Sequence, residues 1–334
     1  MPTLSIEKIN ARARSLNKKI LLGDATDERI IRAAEMVIAQ KIARVEFVGD
    51  SEAIKEQLSR VAPSLINIPI WSAETFAETD VLVSQYYESR KSKISDLESA
   101  RSEVHNDPLL FGALLVNSGL FDGLVAGSLS TTASVIRAAL HGIGLAQSVR
   151  SLSSMFLLDF PTLGEFRKEP MTFAFADCAV IPEPDAHQLA DIAISTAQTY
   201  KQLTGNTPRV AMLSFSTKGS ASTDSTKRVT LATEIVRERE YDLIIDGELQ
   251  FDAAFVPSVA ARKAIGSPVE GNANVFIFPN LDSGNIGYKI AERLGMGQAI
   301  GPILQGLAKP MNDLSRGANI DDIVTMVAVT AVQG

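Results

Sequence analysis

Short apolar runs, each followed by a Gly/Ser/Asp-rich loop and then by a helix-period segment, recur along the chain. KKILLGDATDERIIRAAEMVIAQ predicts a strand over 19–22 and a helix over 27–40, and ARVEFVGD a strand over 43–50. DGLVAGSLSTTASVIRAALHG predicts a strand over 123–126 and a helix over 131–141. The same unit returns in TFAFADCAVIPEPDAHQLADIAISTAQTYKQL, PRVAMLSFSTKGSASTDSTKRVTLATEIVRERE, YDLIIDGELQFDAAFVPSVAARKA and ANVFIFPNLDSGNIGYKIAERLG. The strand runs show little apolar/polar alternation, as strands buried on both faces do. Strands of that kind alternating with helices predict an α/β fold with mostly parallel sheets covered on both sides.

A chain of 334 residues is long enough for two domains and two sizeable cores. A glycine-rich turn places a change of domain near 142–150, and the charge-mixed stretch 60–105 predicts surface helices. The N-terminal segment MPTLSIEKINARARSLNKK reads as an amphipathic helix without the apolar core of a signal peptide. The most apolar stretch, 109–127, is broken by Asn117, Ser118 and Asp122, so it predicts a core segment rather than a membrane span.

Charge and cysteine usage narrow the function. A net charge of −7 argues against nucleic acid as a partner, which usually meets a basic face. One cysteine, Cys178, excludes an intrachain disulfide and fits a reducing compartment such as the cytoplasm. His105, His141 and His187 are scattered without zinc spacing, so no metal is expected. Cys178 lies in a strand-like run, which favours a buried small residue over a nucleophile.

Four stretches hold candidate chemistry. In GSLSTTASVIRAAL (127–140), Ser128, Ser130, Thr131 and Thr132 follow a strand and open a helix that carries Arg137. A helix N-terminus with hydroxyls and an arginine suits a phosphate, although the same residues suit an ordinary helix cap. SFSTKGSASTDSTKRV (214–229) could hold an anion or be a solvated loop; it lacks P-loop spacing. LDSGNIGYKIAERLG (281–295) carries Arg293 near a helix end, where a cation is stabilising in any case. KPMNDLSRGANIDDIV (309–324) joins Ser315, Arg316 and Asp322. Asn319 and Asp322 fit a capping box. Ser315 and Arg316 are left over by that account, and with Asp322 as a base they suit acyl or phosphoryl transfer.

FADCAVIPEPDAHQLADIAISTA, VAMLSFSTKGSAS, DGELQFDAAFVPSVA, VFIFPNLDSGNIGYKIAERL and AIGPILQGLAKPMNDLSRG together resemble the phosphate acetyltransferase (phosphotransacetylase) family, nearly unbroken from about 108 to 334. The resemblance implies two α/β domains with a cleft between them, similar to isocitrate and isopropylmalate dehydrogenases. Residues 1–147 and 303–334 would form one domain and 148–302 the other, through which the family commonly makes homodimers. It implies reversible acetyl transfer between coenzyme A and inorganic phosphate, making acetyl phosphate, with small-molecule substrates and no metal or nicotinamide cofactor. By motif, Ser315, Arg316 and Asp322 match the family's catalytic positions, and Arg137 an arginine of the phosphate and acyl phosphate site. Arg293 matches another cleft arginine, and Arg90, in YYESRK, one associated with coenzyme A. LGDATDERII departs from the proline-glutamate start usual in that family segment.

The implied chemistry runs without an acyl-enzyme. Coenzyme A thiol gives its proton to Asp322, and the thiolate attacks acetyl phosphate held by Arg316 and Ser315. Two other readings stay open: a sibling enzyme acting on butyryl or propanoyl groups, and a non-catalytic ligand-sensing domain of the same fold. Retention of Ser315, Arg316 and Asp322 argues against the latter.

Overall fold

The computed structural model describes residues 4–147, 149–163 and 168–334. The chain divides into two compact units, one of residues 8–147 with 307–334 and the other of residues 1–7 with 148–306.

The unit of residues 8–147 and 307–334 is built on five strands: β1 (Lys19–Leu22), β2 (Arg44–Val48), β3 (Ile70–Trp71), β4 (Gly123–Ala126) and, in the returning segment, the strand Met311–Asp313. All pair in parallel, with the returning strand at one edge beside β4, then β1, β2 and β3. Burial on both faces explains the unalternating sequence of β1 and β4. On one side lies helix Ile320–Gln333, buried from Ile323 through Val332. The amide of Asn312 is fixed by Thr330 Oγ1 at 2.9 Å on that helix. The other side is the cluster around Phe111, Leu115, Phe121, Val135 and Tyr86. The apolar stretch from 109 is thus a buried core helix, Pro108–Asn117, capped by Asp107. Stretch 60–105 forms helices Thr79–Arg90 and Leu97–Asn106, which rest on the core through Leu82, Val83, Tyr86, Ala100 and Val104.

The unit of residues 1–7 and 148–306 holds a six-stranded mixed sheet of β5 (Ser153–Phe160), β6 (Met171–Ala176), β7 (Arg209–Leu213), β8 (Ile244–Leu249), β9 (Val275–Ile277) and β10 (Gln298–Gln305). Their order is β10-β5-β6-β9-β7-β8. β5 is antiparallel to both β6 and β10, and the remaining pairs are parallel. Phenylalanines 156, 160, 173, 175 and 276 fill one side. The strand of residues 311–313 is β11 in chain order.

The boundaries differ from the sequence expectation in two places. The return to the first sheet was expected at 303, but β10 pairs with β5 as far as Gln305↔Ser153 and keeps the chain in its own unit through 306. Residues 1–7 were expected with 8–147. The described residues 4–7 group with the other unit instead, where Ser5 Oγ donates to Asp159 Oδ1 at 2.9 Å. The helix expected over 131–141 is α-helical over Thr132–Ala138 and widens into a π turn over Ala139–Ile143. Among the described residues no helix is long and apolar enough to cross a membrane.

Gly127, directly after β4, marks a tight approach to the segment that follows β11. Its φ is +111°. A Cβ there would lie 2.2 Å from Asp313 Oδ1 and 2.7 Å from Leu314 N. Gly127→Ala combines left-handed strain with a clash against backbone, so we expect a loss of at least ~2 kcal/mol in unfolding free energy. Urea denaturation of the purified variant checks this, and wild-type stability would contradict it.

Candidate functional site

In a parallel sheet the C-terminal strand ends open a crevice where the chain order reverses. Here β1 has β2 on one side and β4 on the other, so the reversal falls between β1 and β4. Three loops leave the sheet there or beside it: 23–27 after β1, 127–131 after β4 and 314–319 after β11. β11 is in register with β4, Asp313 opposite Ala126, and Leu314 N donates to Ala126 O at 2.7 Å. That pairing carries NDLSRG and GSLSTT out of the sheet side by side.

Ser315, Arg316 and Gly317 are exposed, while Ala318 is buried and anchors the loop. Ser315 Oγ accepts from Gly317 N at 3.2 Å, and Ser315 O from Ala318 N at 2.9 Å. Asn319 and Asp322 form the expected capping box: Asn319 Oδ1 accepts from Asp322 N and Asp322 Oδ2 from Asn319 N, both at 3.0 Å. Asp322 is half-buried and Asp321 exposed. The box thereby holds the Asp322 carboxylate at the N-terminus of a 14-residue helix, where negative charge is favoured.

The GSLSTT loop departs from the expectation. Its backbone donors are taken by an internal anion, the Asp24 carboxylate. Asp24 Oδ2 accepts from Gly127 N at 2.8 Å and from Leu129 N and Ser130 N at 3.2 Å, while Oδ1 accepts from Ser130 Oγ at 2.7 Å. Successive N–H groups make an anion nest, and a carboxylate fits it as well as a phosphate does. Thr131 caps its helix through Ser134 N at 3.2 Å, and Thr132 Oγ1 donates to Asp313 Oδ2 at 2.6 Å. Ser128 is buried. Three of the four hydroxyls expected to meet substrate therefore have internal partners in this structure, Ser130, Thr131 and Thr132.

The basic residues divide between the units. Arg137 is exposed, and Arg90 is half-buried at the end of helix Thr79–Arg90 with its guanidinium against the Tyr86 ring. Burial pushes the His141 imidazole below its ordinary value, and the charges of Arg90, Arg137 and Lys93 push it further against the pull of Glu103. Arg90, Arg137 and Lys93 are thus close enough to act on one imidazole, with the single opposing charge of Glu103 beside them, and positive charge, which phosphates seek, predominates there. Arg293 lies in the other unit, exposed on helix Leu281–Leu294 beside Glu292. Cys178 is fully buried, and burial pushes its thiol well up, so it is poorly placed as a nucleophile. In the SFSTKGSAS loop Glu248 takes the donors: Ser216 Oγ and Gly219 N each at 2.8 Å. A cavity of about 490 Å³ at the ends of β2 and β3 is lined by Asp50, Glu52 and Glu74 around Trp71, a set that repels phosphates.

Sequence reasoning missed Asp24, Asp27, Arg29 and Asp313. Asp24 had a signal, an acidic residue in a βα loop that departs from the family pattern. Asp313 had none, since it reads as one polar residue in a polar stretch.

The pattern of the family described as phosphate acetyl/butaryl transferase matches residues 4–331. The phosphate acetyltransferase of Acetivibrio thermocellus is 44% identical over 328 residues, 98% of this chain and 97% of that protein. That of Thermoanaerobacterium thermosaccharolyticum is 45% identical over 330 residues, 98% of each. A phosphotransacetylase structure from Streptococcus pyogenes superposes with a TM-score of 0.92 at 41% identity, covering 100% of this chain and 99% of that one.

Asp313 generates a pH prediction. It is buried, its Oδ1 has no hydrogen-bond partner, and burial with the nearby Asp24 charge raises its carboxyl from 3.8 to about 6 despite the Thr132 bond. The folded state therefore binds the extra proton between those values, and stability falls as pH rises through that window. The gap is worth ~3 kcal/mol at about 1.36 kcal/mol per pH unit. In Asp313→Asn this term is gone, so its stability relative to wild type should rise by up to that amount between pH 4 and 7. Urea titrations across that range test it, and parallel pH profiles for the two proteins would refute it.

Proposed function

Because the chain belongs to the phosphate acetyl/butaryl transferase family, we propose that it catalyses reversible acetyl transfer between coenzyme A and inorganic phosphate. The observation that carries this reading is the placement of Ser315, Arg316 and Asp322. They lie in and after a loop that leaves β11 beside the loop of β4, next to the reversal point of a parallel sheet.

In the direction of thioester synthesis, Asp322 takes the thiol proton and the thiolate sulfur attacks the acetyl carbonyl carbon. The carbonyl π pair moves onto oxygen, where Ser315 and backbone N–H groups can donate. Collapse expels phosphate, whose negative charge Arg316 matches with a bidentate fork. Arg137 and Arg90 contribute positive charge for the phosphates of coenzyme A and acyl phosphate, and Arg293 is assigned to the same substrates. Ser128, Ser130, Thr131 and Thr132 shape the loop that faces them. No metal or additional cofactor enters the scheme. The protein would work in the cytoplasm, a placement the single buried cysteine fits.

We also assign a homodimer, formed through the unit of residues 148–306. Helix Leu281–Leu294 supports this: Ile286, Ile290 and Leu294, spaced four apart, are 57%, 53% and 81% exposed. An apolar row on one helix face is costly in water and suits a second copy of the same surface. Sedimentation at micromolar concentration should give twice the chain mass of 35.9 kDa, and Ile290→Glu should give monomer. A wild-type monomer would defeat the assignment.

The activity is tested by thioester formation from coenzyme A with acetyl, propanoyl and butyryl phosphates. Acetyl phosphate should be the best substrate, and inactivity with all three would sink the reading. Arg316→Lys should lose at least about tenfold in kcat/KM, because lysine lacks the planar fork. Asp322→Asn keeps a capping amide but cannot accept the thiol proton, so kcat should fall on the order of 10²-fold with little change in Tm. Its residual rate should rise with pH toward ~8.5 as the thiol ionises unaided. Full activity in that variant would remove Asp322 as the base.

A further inference from the structure

A guanidinium has five N–H donors, and in Arg29 all five are directed at protein acceptors. Nε donates to both Asp27 oxygens at 3.1 Å. Nη2 donates to Asp27 Oδ2 at 2.7 Å and to Ser128 O at 3.1 Å. Nη1 donates to Arg316 O at 2.9 Å and to Ala318 O at 2.8 Å. No donor is left for a substrate anion, and Asp27 balances the charge. Burial works against the Asp27 carboxylate, but the bonds and charge of Arg29 outweigh it and keep the carboxyl below its ordinary value.

The carbonyls that Arg29 gathers belong to the two loops of the site. Ser128 lies in GSLSTT, and Arg316 and Ala318 bracket Gly317. The exposed residues 315–317 have little packing to hold them, so hydrogen bonds fix the path of that backbone. A side chain that ties the carbonyl of Arg316 itself sets where the Arg316 side chain starts. We propose that Arg29 is a positioning residue for acyl transfer: it clamps loop 314–319 to loop 127–131 through three carbonyls and aims Arg316 without touching substrate. The clamp rests on the acyl-transfer reading only for its effect on rate. Lysine cannot replace it, because one ammonium cannot meet a carboxylate and three separated carbonyls at once.

The test uses Arg29→Lys and Arg29→Gln in the full chain, alone and with Arg316→Lys, with amide deuterium uptake and kinetics as readouts. Uptake in 314–319 should quicken while the sheet stays protected, whether or not the protein transfers acyl groups. The Tm of at least one variant should stay within a few degrees of wild type. In kinetics, kcat/KM should fall at least tenfold in each single variant. The double variant Arg29→Lys/Arg316→Lys should lose less than threefold beyond Arg316→Lys, because an arginine that is already lost cannot be misaimed again. Unchanged uptake in 314–319 would overturn the clamp. Losses that multiply would overturn it in favour of an independent contact with substrate. Faster uptake throughout residues 8–147, with a lowered Tm in both variants, would reduce Arg29 to a general structural role. A wild-type chain inert toward every acyl phosphate would sink the transfer reading while the uptake result still decides the clamp.

Discussion

The pairing of β11 with β4 is the constraint on which the site depends. Three residues of strand, Met311–Asp313, must return to the edge of a sheet begun nearly 300 residues earlier and fall into one register. A slip by one residue would turn Asp313 out of its buried place and swing Ser315 and Arg316 to the opposite side. Several features oppose such a slip. Asn312 is held by Thr330 and Gln333 on the helix behind the sheet. Thr132 holds Asp313, and the missing side chain of Gly127 leaves room for the carboxylate and the next peptide. The helix after the loop, buried over ten successive residues, supplies apolar area that fixes the segment in place.

An anion site built this way contains anions of its own. Asp24 fills the nest of the β4 loop, and Asp313 lies close enough to feel its charge. The arrangement makes sense if the loop needs to be rigid before substrate arrives. A carboxylate gathering three N–H groups and a hydroxyl orders the backbone continuously, whereas a transient phosphate would order it only when bound, at an entropic cost to affinity. On the proposed reading the positive side chains are then left for the substrate, with Arg90, Arg137 and Lys93 acting on His141 alongside Glu103. Internal acids organise the backbone, and the proposed part of the arginines is to supply the field.

The sequence shows its strands and helices well wherever a residue's neighbours in the chain decide its state. β1 and β4 are buried on both faces and read as continuous apolar runs, and Asn319 with Asp322 reads as a capping box because both partners lie within one turn. The domain boundary was less legible: β10 belongs with β5, about 150 residues earlier, and nothing local in QAIGPILQ says so. The long-range bonds of Asp24, Arg29 and Asp313 were hidden for the same reason. Arg29 reads as one more charge on an amphipathic helix, and its partners Arg316 and Ala318 are 287 and 289 residues away. The GSLSTT motif was ambiguous in a more specific way. Its donors are real, but a motif shows only that an anion fits, not whether the protein provides the anion itself.

The capping box puts a further condition on the chemistry. Proton transfer from an ordinary thiol to an ordinary aspartate is uphill by ~6 kcal/mol, so the proposed role of Asp322 as base requires the site to stabilise thiolate more than it stabilises carboxylate. A helix N-terminus alone cannot do this, because its field favours both anions. The carboxylate of Asp322 is already served by that field and by the Asn319 N–H. On the proposed mechanism the thiolate must draw on something the carboxylate does not share, and the exposed guanidinium of Arg316, in the loop just before this helix, is the group we assign to it. In that scheme, as the acyl phosphate becomes phosphate, the same guanidinium would gain a stronger anion to bind, so its favour would shift from nucleophile to leaving group along the reaction. One arginine serves both ends of the transfer only if its backbone stays still while its side chain follows the charge.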